Sequence, residues 1–127
     1  MNIKKIAAVY SLVLGSGIIL FWMYLLLDGF VPEINTKPTE ILFHLIAEFT
    51  TAIFLFISSV FMYENFKGGT YLNLTSMGML FYSLIQTPGY FFQIGESLVA
   101  SIFLICLLVG IVIYSIILIK EITFSNP

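Results

Sequence analysis

Of the seven acidic residues in this 127-residue chain, six lie in polar connecting segments or beside the ends of apolar runs. Glu48 is the exception: it stands well inside an apolar run, four residues after His44, the only histidine. On a helix, residues four apart share a face and their side chains meet. The same face continues through Thr51, Leu55 and Ser58, a polar stripe at helical spacing. A strongly interacting acid and imidazole titrate as a pair rather than as separate groups. Such a pair can move a proton or hold a cation. An ionised acid in the middle of a membrane helix costs about 2.5–3.5 kcal/mol on the insertion scale. Glu48 is therefore expected to be neutral and hydrogen-bonded to Gln86 or a hydroxyl, or paired with His44 as imidazolium.

The elements that must position this pair follow from composition. Hydrophobic residues make up 60% of the chain and charged residues 9%, with a mean hydropathy of +1.07. Soluble domains carry roughly 25% charged residues, and twelve charges spread this thinly cannot build a water-facing surface. Long apolar runs between short polar segments read as lipid-facing helices of ~20 residues each. The expected fold is an all-α membrane protein, a four-transmembrane-helix bundle forming one domain over 1–127. The spans fall at about 6–27, 39–63, 70–87 and 97–119. The first begins after Lys4-Lys5, and its apolar run is too long for the ~7–15-residue core of a signal peptide, so it is read as an uncleaved span. Asp28 to Glu40, with Pro32, Asn35 and Pro38, reads as a loop, and Pro38 suits a first helical turn. The third span is the least hydrophobic, and Pro88-Gly89 either ends or kinks it.

Orientation follows from lysine. Four crossings put Lys4, Lys5, Lys67 and Lys120 on one side and Lys37 alone on the other. Cytoplasmic loops are enriched in Lys and Arg, so the expected topology is N-in/C-in, in the cell membrane with both termini cytoplasmic. The same bias argues against insertion in both directions.

Depth then selects partners for Glu48. Entering from the outer side near Thr39, it lies about 13 Å along span two at 1.5 Å per residue. Span three rises from the opposite side, so Ser83, Gln86 and Thr87 reach its outer half, bordered by Tyr82 and Tyr90. His44, Glu48, Ser83, Gln86 and Tyr90 are the candidate ligand- or proton-binding residues, converging in the outer half of the bundle. If span three continues past Pro88, the ring frees a carbonyl near Leu84 beside the same cluster, and broken helices at membrane depth line binding cavities. Asn73-Leu74-Thr75 matches a glycosylation sequon but falls near the cytoplasmic side and is read as chance.

Other features are structural or negative. Ala7, Ser11 and Gly15 recur every four residues, a small-residue face that lets two backbones approach, here assigned first to packing within the chain. Cys106 is the single cysteine, so no intrachain disulfide or cysteine-based metal site can form. One His and one nearby Glu fall short of the three or four ligands of a metal site, and no metal or cofactor is expected. No paired carboxylates or nucleophile–base arrangement is visible, so no catalytic residue is assigned and an enzyme is not the expected reading. With no Arg and scattered Lys, nucleic acid is not a partner. Two readings remain: a small transporter or binding module around Glu48 and His44, working as a parallel homo-oligomer, and an accessory subunit of a larger membrane complex docking through the span-one face.

Overall fold

The structure, a computed structural model, describes residues 2–29 and 32–125, apart from the side chains of Glu33, Phe124 and Ser125. Among these residues there are five helices and no strand: α1 (Ile3–Leu27), α2 (Glu33–Thr36), α3 (Pro38–Tyr63), α4 (Gly69–Gln93) and α5 (Ser97–Ser125). Three of them, α1, α3 and the Ser97–Thr123 stretch of α5, are long and apolar enough to cross a membrane. Helix α4 has 25 residues, comparable in length, but carries Asn73, Ser76, Ser83, Gln86 and Thr87. Asn73, Ser76 and Ser83 face inward and are buried, whereas Gln86, Tyr71, Tyr82 and Ile85 are exposed.

The four long helices alternate in direction. Helix α1 packs along α3, α3 along α4 and α4 along α5, and a thinner seam between α1 and α5 closes the ring. Gly15 sets the α1–α3 distance: a Cβ there would stand 3.0 Å from the Ala52 carbonyl oxygen and 3.3 Å from the Leu55 Cβ. Only a residue without a side chain lets the two backbones come this close. With Ala7 and Ser11 also buried, the small-residue face of α1 is covered within the chain. The α1–α5 seam holds Tyr10, whose hydroxyl donates to the Cys106 carbonyl at 2.7 Å, and an ion pair of 3.3 Å between Lys4 Nζ and Glu121 Oε1.

The ends of the elements refine the sequence reading. Helix α1 starts at Ile3 because the Asn2 side chain accepts from the Lys5 amide at 2.9 Å, capping a free donor of the first turn. The segment expected to be a loop contains the one-turn helix α2. Helix α3 ends with Asn65 in the left-handed region, φ 58°; the Phe66 amide bonds back to the Phe61 carbonyl at 2.9 Å and the two rings meet at 5.4 Å, a hydrophobic C-cap. Helix α4, where the third span was expected over 70–87, runs on to Gln93 through Pro88. Proline deletes a single backbone bond. The effective stop is Gly95 at φ 84°, where the Gly95 and Glu96 amides bond to the carbonyls of Phe92 and Phe91, a Schellman motif that needs a left-handed residue. Tyr90, Phe91 and Phe92 therefore belong to the helix. The last helix also exceeds its expected end at 119, reaching Ser125 and bringing Glu121 to Lys4.

These directions sort the charges by end. The start of α1, the α3–α4 link and the end of α5 gather Lys4, Lys5, Lys67 and Lys120 with Glu64 and Glu121. The opposite end has Asp28, Glu33, Glu40 and Glu96 against Lys37 alone. The lysine end carries +2 and the acidic end −3, and Glu48 between them completes the net −2 of the chain.

Candidate functional site

Glu48 is 5% exposed and faces α4 from the buried side of α3. The Ser83 hydroxyl donates to its Oε1 at 2.7 Å. His44, one turn earlier on α3, brings Nε2 to 3.8 Å from the same oxygen, outside hydrogen-bond range and inside ion-pair reach. Its side chain is 31% exposed, and its ring meets Trp22 of α1 edge-on at 5.3 Å between centroids. One carboxyl oxygen thus accepts a hydrogen bond from a hydroxyl of α4 while facing an imidazole of its own helix.

His44 also lines a cavity of about 740 Å³ at the acidic end. Helix α1 gives it Phe21, Trp22, Tyr24 and Leu25; α4 gives Gln86, Thr87, Tyr90 and Phe91. Lys37, Glu40 and Ile41 from the start of α3 and Ile94, Glu96 and Val99 around the α4–α5 turn complete it. Its inner wall is aromatic: Phe21 and Phe91 line it with their rings 5.7 Å apart, and both also pack on Phe103 of α5, at 5.5 and 5.7 Å. Its rim is charged, with Lys37 Nζ 4.0 Å from Glu40 Oε2, both well exposed.

The residues singled out by sequence therefore occupy two tiers. Glu48 and Ser83 form the buried tier; Gln86 and Tyr90 stand in the cavity wall; His44 belongs to both. Glu48 takes its hydrogen bond from the Ser83 hydroxyl, while Gln86 is exposed. Tyr82 does not border the group. It is 70% exposed, because one residue before Ser83 is about 100° away around a helix of 3.6 residues per turn. The stripe below Glu48 is buried, but Thr51 donates to its own Ala47 carbonyl at 2.8 Å.

Sequence reasoning passed over a second polar group. Asn73 of α4, 0% exposed, donates through Nδ2 to Ser11 Oγ of α1 at 2.7 Å and to Ser58 Oγ of α3 at 3.1 Å. Its Oδ1 is buried with no hydrogen-bond partner among the described residues. The signal was present: Asn73, Ser76, Leu80, Ser83 and Thr87 follow one helical face.

Over residues 1–126 the chain matches the family described as Domain of unknown function (DUF8058). The chain belongs to the DUF8058 family. No curated protein matches it, and no solved structure does. For this DUF8058 protein the geometry is thus the source of a functional reading. Among its described residues no three His, Cys, Asp or Glu side chains gather as metal ligands. What Glu48, Ser83 and His44 offer is a buried carboxylate with one hydroxyl donor and one titratable neighbour between it and a cavity.

Proposed function

We propose that this DUF8058 protein is a four-span membrane protein, N-in/C-in, that acts as a small transporter or ligand-binding module with Glu48 as its proton- or cation-binding group. The observation that carries the reading is the placement of Glu48: a 5%-exposed carboxylate hydrogen-bonded by Ser83 and reached from a 740 Å³ cavity through His44. Ionisable groups inside membrane helices face a partner or cavity and mark ligand and proton pathways. His44 stands between Glu48 and the cavity, so a ligand in the cavity and a proton or cation at Glu48 meet across one side chain. The other titratable groups around the cavity are Tyr24 from α1, Lys37 and Glu40 from α3, Tyr90 from α4 and Glu96 beside α5.

The fourth span is α4. At 1.5 Å per residue its 25 residues cover ~37 Å, enough for a hydrocarbon core of ~30 Å, and its low hydropathy reflects polar groups turned toward α3 and α1. The lysine excess at the end shared by the start of α1 and the end of α5 supports cytoplasmic termini. Helix α5 turns Leu98, Ile105, Leu108 and Ile119 outward, a surface suited to lipid or to a parallel second copy. For the accessory-subunit reading, the small-residue face of α1 is occupied by α3, so a partner would need another surface.

Trp22, the only tryptophan, touches His44 and reports on the site directly. Its emission followed against pH should show a transition that disappears in Glu48→Gln. An identical titration in the variant would remove Glu48 from the function. Reporter fusions at the C-terminus check the topology: signal from a periplasmic or extracellular reporter would overturn the assigned orientation.

A further inference from the structure

We infer that the cavity beside His44 takes an apolar organic cation, a quaternary or protonated amine or an equivalent onium group bearing hydrophobic substituents. This rests on the functional reading above and adds the chemical class of the ligand. Three observations carry it. The cavity, about 740 Å³, lies within the roughly 300–1,000 Å³ of small-molecule sites. Its wall presents Phe21, Trp22, Tyr24, Tyr90 and Phe91, and aromatic faces attract a cation through the ring quadrupole while covering its apolar substituents. Its charge is acidic: Glu40 and Glu96 against Lys37 at the rim, with Glu48 behind His44.

The rim charges differ in availability. Glu40 is shared with Lys37 at 4.0 Å. Glu96 has no ion-pair partner among the described residues and follows the left-handed Gly95 that turns the chain from α4 into α5. It is the carboxylate free to meet an arriving cation. The whole acidic end, at −3, favours accumulation of cations at the mouth and disfavours anions of the same shape. Once inside, the cation stands on the far side of His44 from Glu48. A protonated His44 opposes it, and an ionised Glu48 favours it.

Tetraphenylphosphonium and tetraphenylborate make the test, being nearly equal in shape and apolarity and opposite in charge. The full-length protein in maltoside micelles is titrated with each, following Trp22 emission and, in parallel, heat. The phosphonium should bind at least tenfold tighter than the borate. The exposed-carboxylate double variant Glu40→Gln/Glu96→Gln should lose most of that preference while retaining its melting temperature, and Tyr90→Leu should weaken phosphonium binding severalfold. Equal binding of the two ions, or binding of neither, overturns the inference. A cation preference unchanged in the double variant overturns the role given to the rim. Adding phosphatidylcholine or phosphatidylglycerol then separates sources: displacement by the former alone assigns the site to a choline-type headgroup, and no displacement assigns it to a free cation. The Glu48-dependent pH transition is measured separately, so loss of it with cation preference intact rejects proton coupling and leaves the ligand class standing.

Discussion

Helices α3 and α4 are joined by two polar contacts, one toward each end, and the two are built differently. Toward the lysine end, Asn73 reaches Ser58 and Ser11, tying three helices in a group with no exposed member. Toward the acidic end, Ser83 reaches Glu48, and the next residue outward, His44, stands in a cavity wall. The first contact is neutral and closed. The second contains an ionisable group and opens to the surface. Interhelical hydrogen bonds in membranes are worth ~0.6 kcal/mol on average, so neither is explained by the strength of its bonds. The difference teaches that two polar contacts of similar strength between the same helices can differ in access and charge, and it is on these, rather than on polarity, that the function proposed for Glu48 rests.

That contrast can be broken most severely at the close approach of α1 and α3. Gly15→Leu forces a branched side chain against the Ala52 carbonyl and Leu55, and overpacking of this kind costs about 1–3 kcal/mol. A lowered melting temperature in detergent, with loss of the Trp22–His44 contact, is the expected outcome; an unchanged melt would mean that the two helices do not pack in this register.

Next in size is Glu48→Gln. It should abolish the pH-dependent part of ligand binding, a change of tenfold or more, or ~1.4 kcal/mol, while altering the unfolding free energy by less than about 1 kcal/mol. Binding assays across pH and SDS-induced unfolding separate the two effects. Asn73→Leu is its mirror. It removes two hydrogen bonds and costs about 1 kcal/mol of stability, and its pH-dependent binding should match wild type. If Asn73→Leu instead alters the pH dependence, the division into a closed contact and an open one fails.

Much of the acidic-end contact was legible. The i, i+4 spacing of His44 and Glu48 is a local property of one helix, and matching depths on oppositely running helices suffices to bring Ser83 to Glu48. The cavity was not legible, because its wall depends on the rotation and register of α1; the spacing of Ala7, Ser11 and Gly15 marks a packing face but does not say that Gly15 meets Ala52 and Leu55 of α3. The expected start of span two at about 39 lies one residue from the observed start of α3 at Pro38, but that Glu40 stands on a cavity rim with Lys37 does not follow from it. Sequence leaves Pro88 as either an end or a kink, and the helix continues past it to Gln93, since a single missing bond is a smaller obstacle than the turn that Gly95 permits.

The smallest expected effect lies outside both contacts. Tyr10→Phe deletes the hydroxyl that donates to the Cys106 carbonyl and should cost ~0.6 kcal/mol, read by the same SDS titration, with pH-dependent binding untouched. A loss of ligand binding in this variant would show that the site feels the α1–α5 seam.

The same seam has a consequence for biosynthesis. It joins the first of these helices to leave the ribosome with the last. Until α5 is inserted, the Tyr10 hydroxyl lacks its carbonyl acceptor and Lys4 lacks Glu121. Helices α1, α3 and α4 can associate as they emerge, through Gly15, Asn73 and Ser83. Closure waits for α5, and a ribosome stalled before it would leave the preceding helices open along one side, and the Tyr10 hydroxyl without the acceptor it has in the closed bundle.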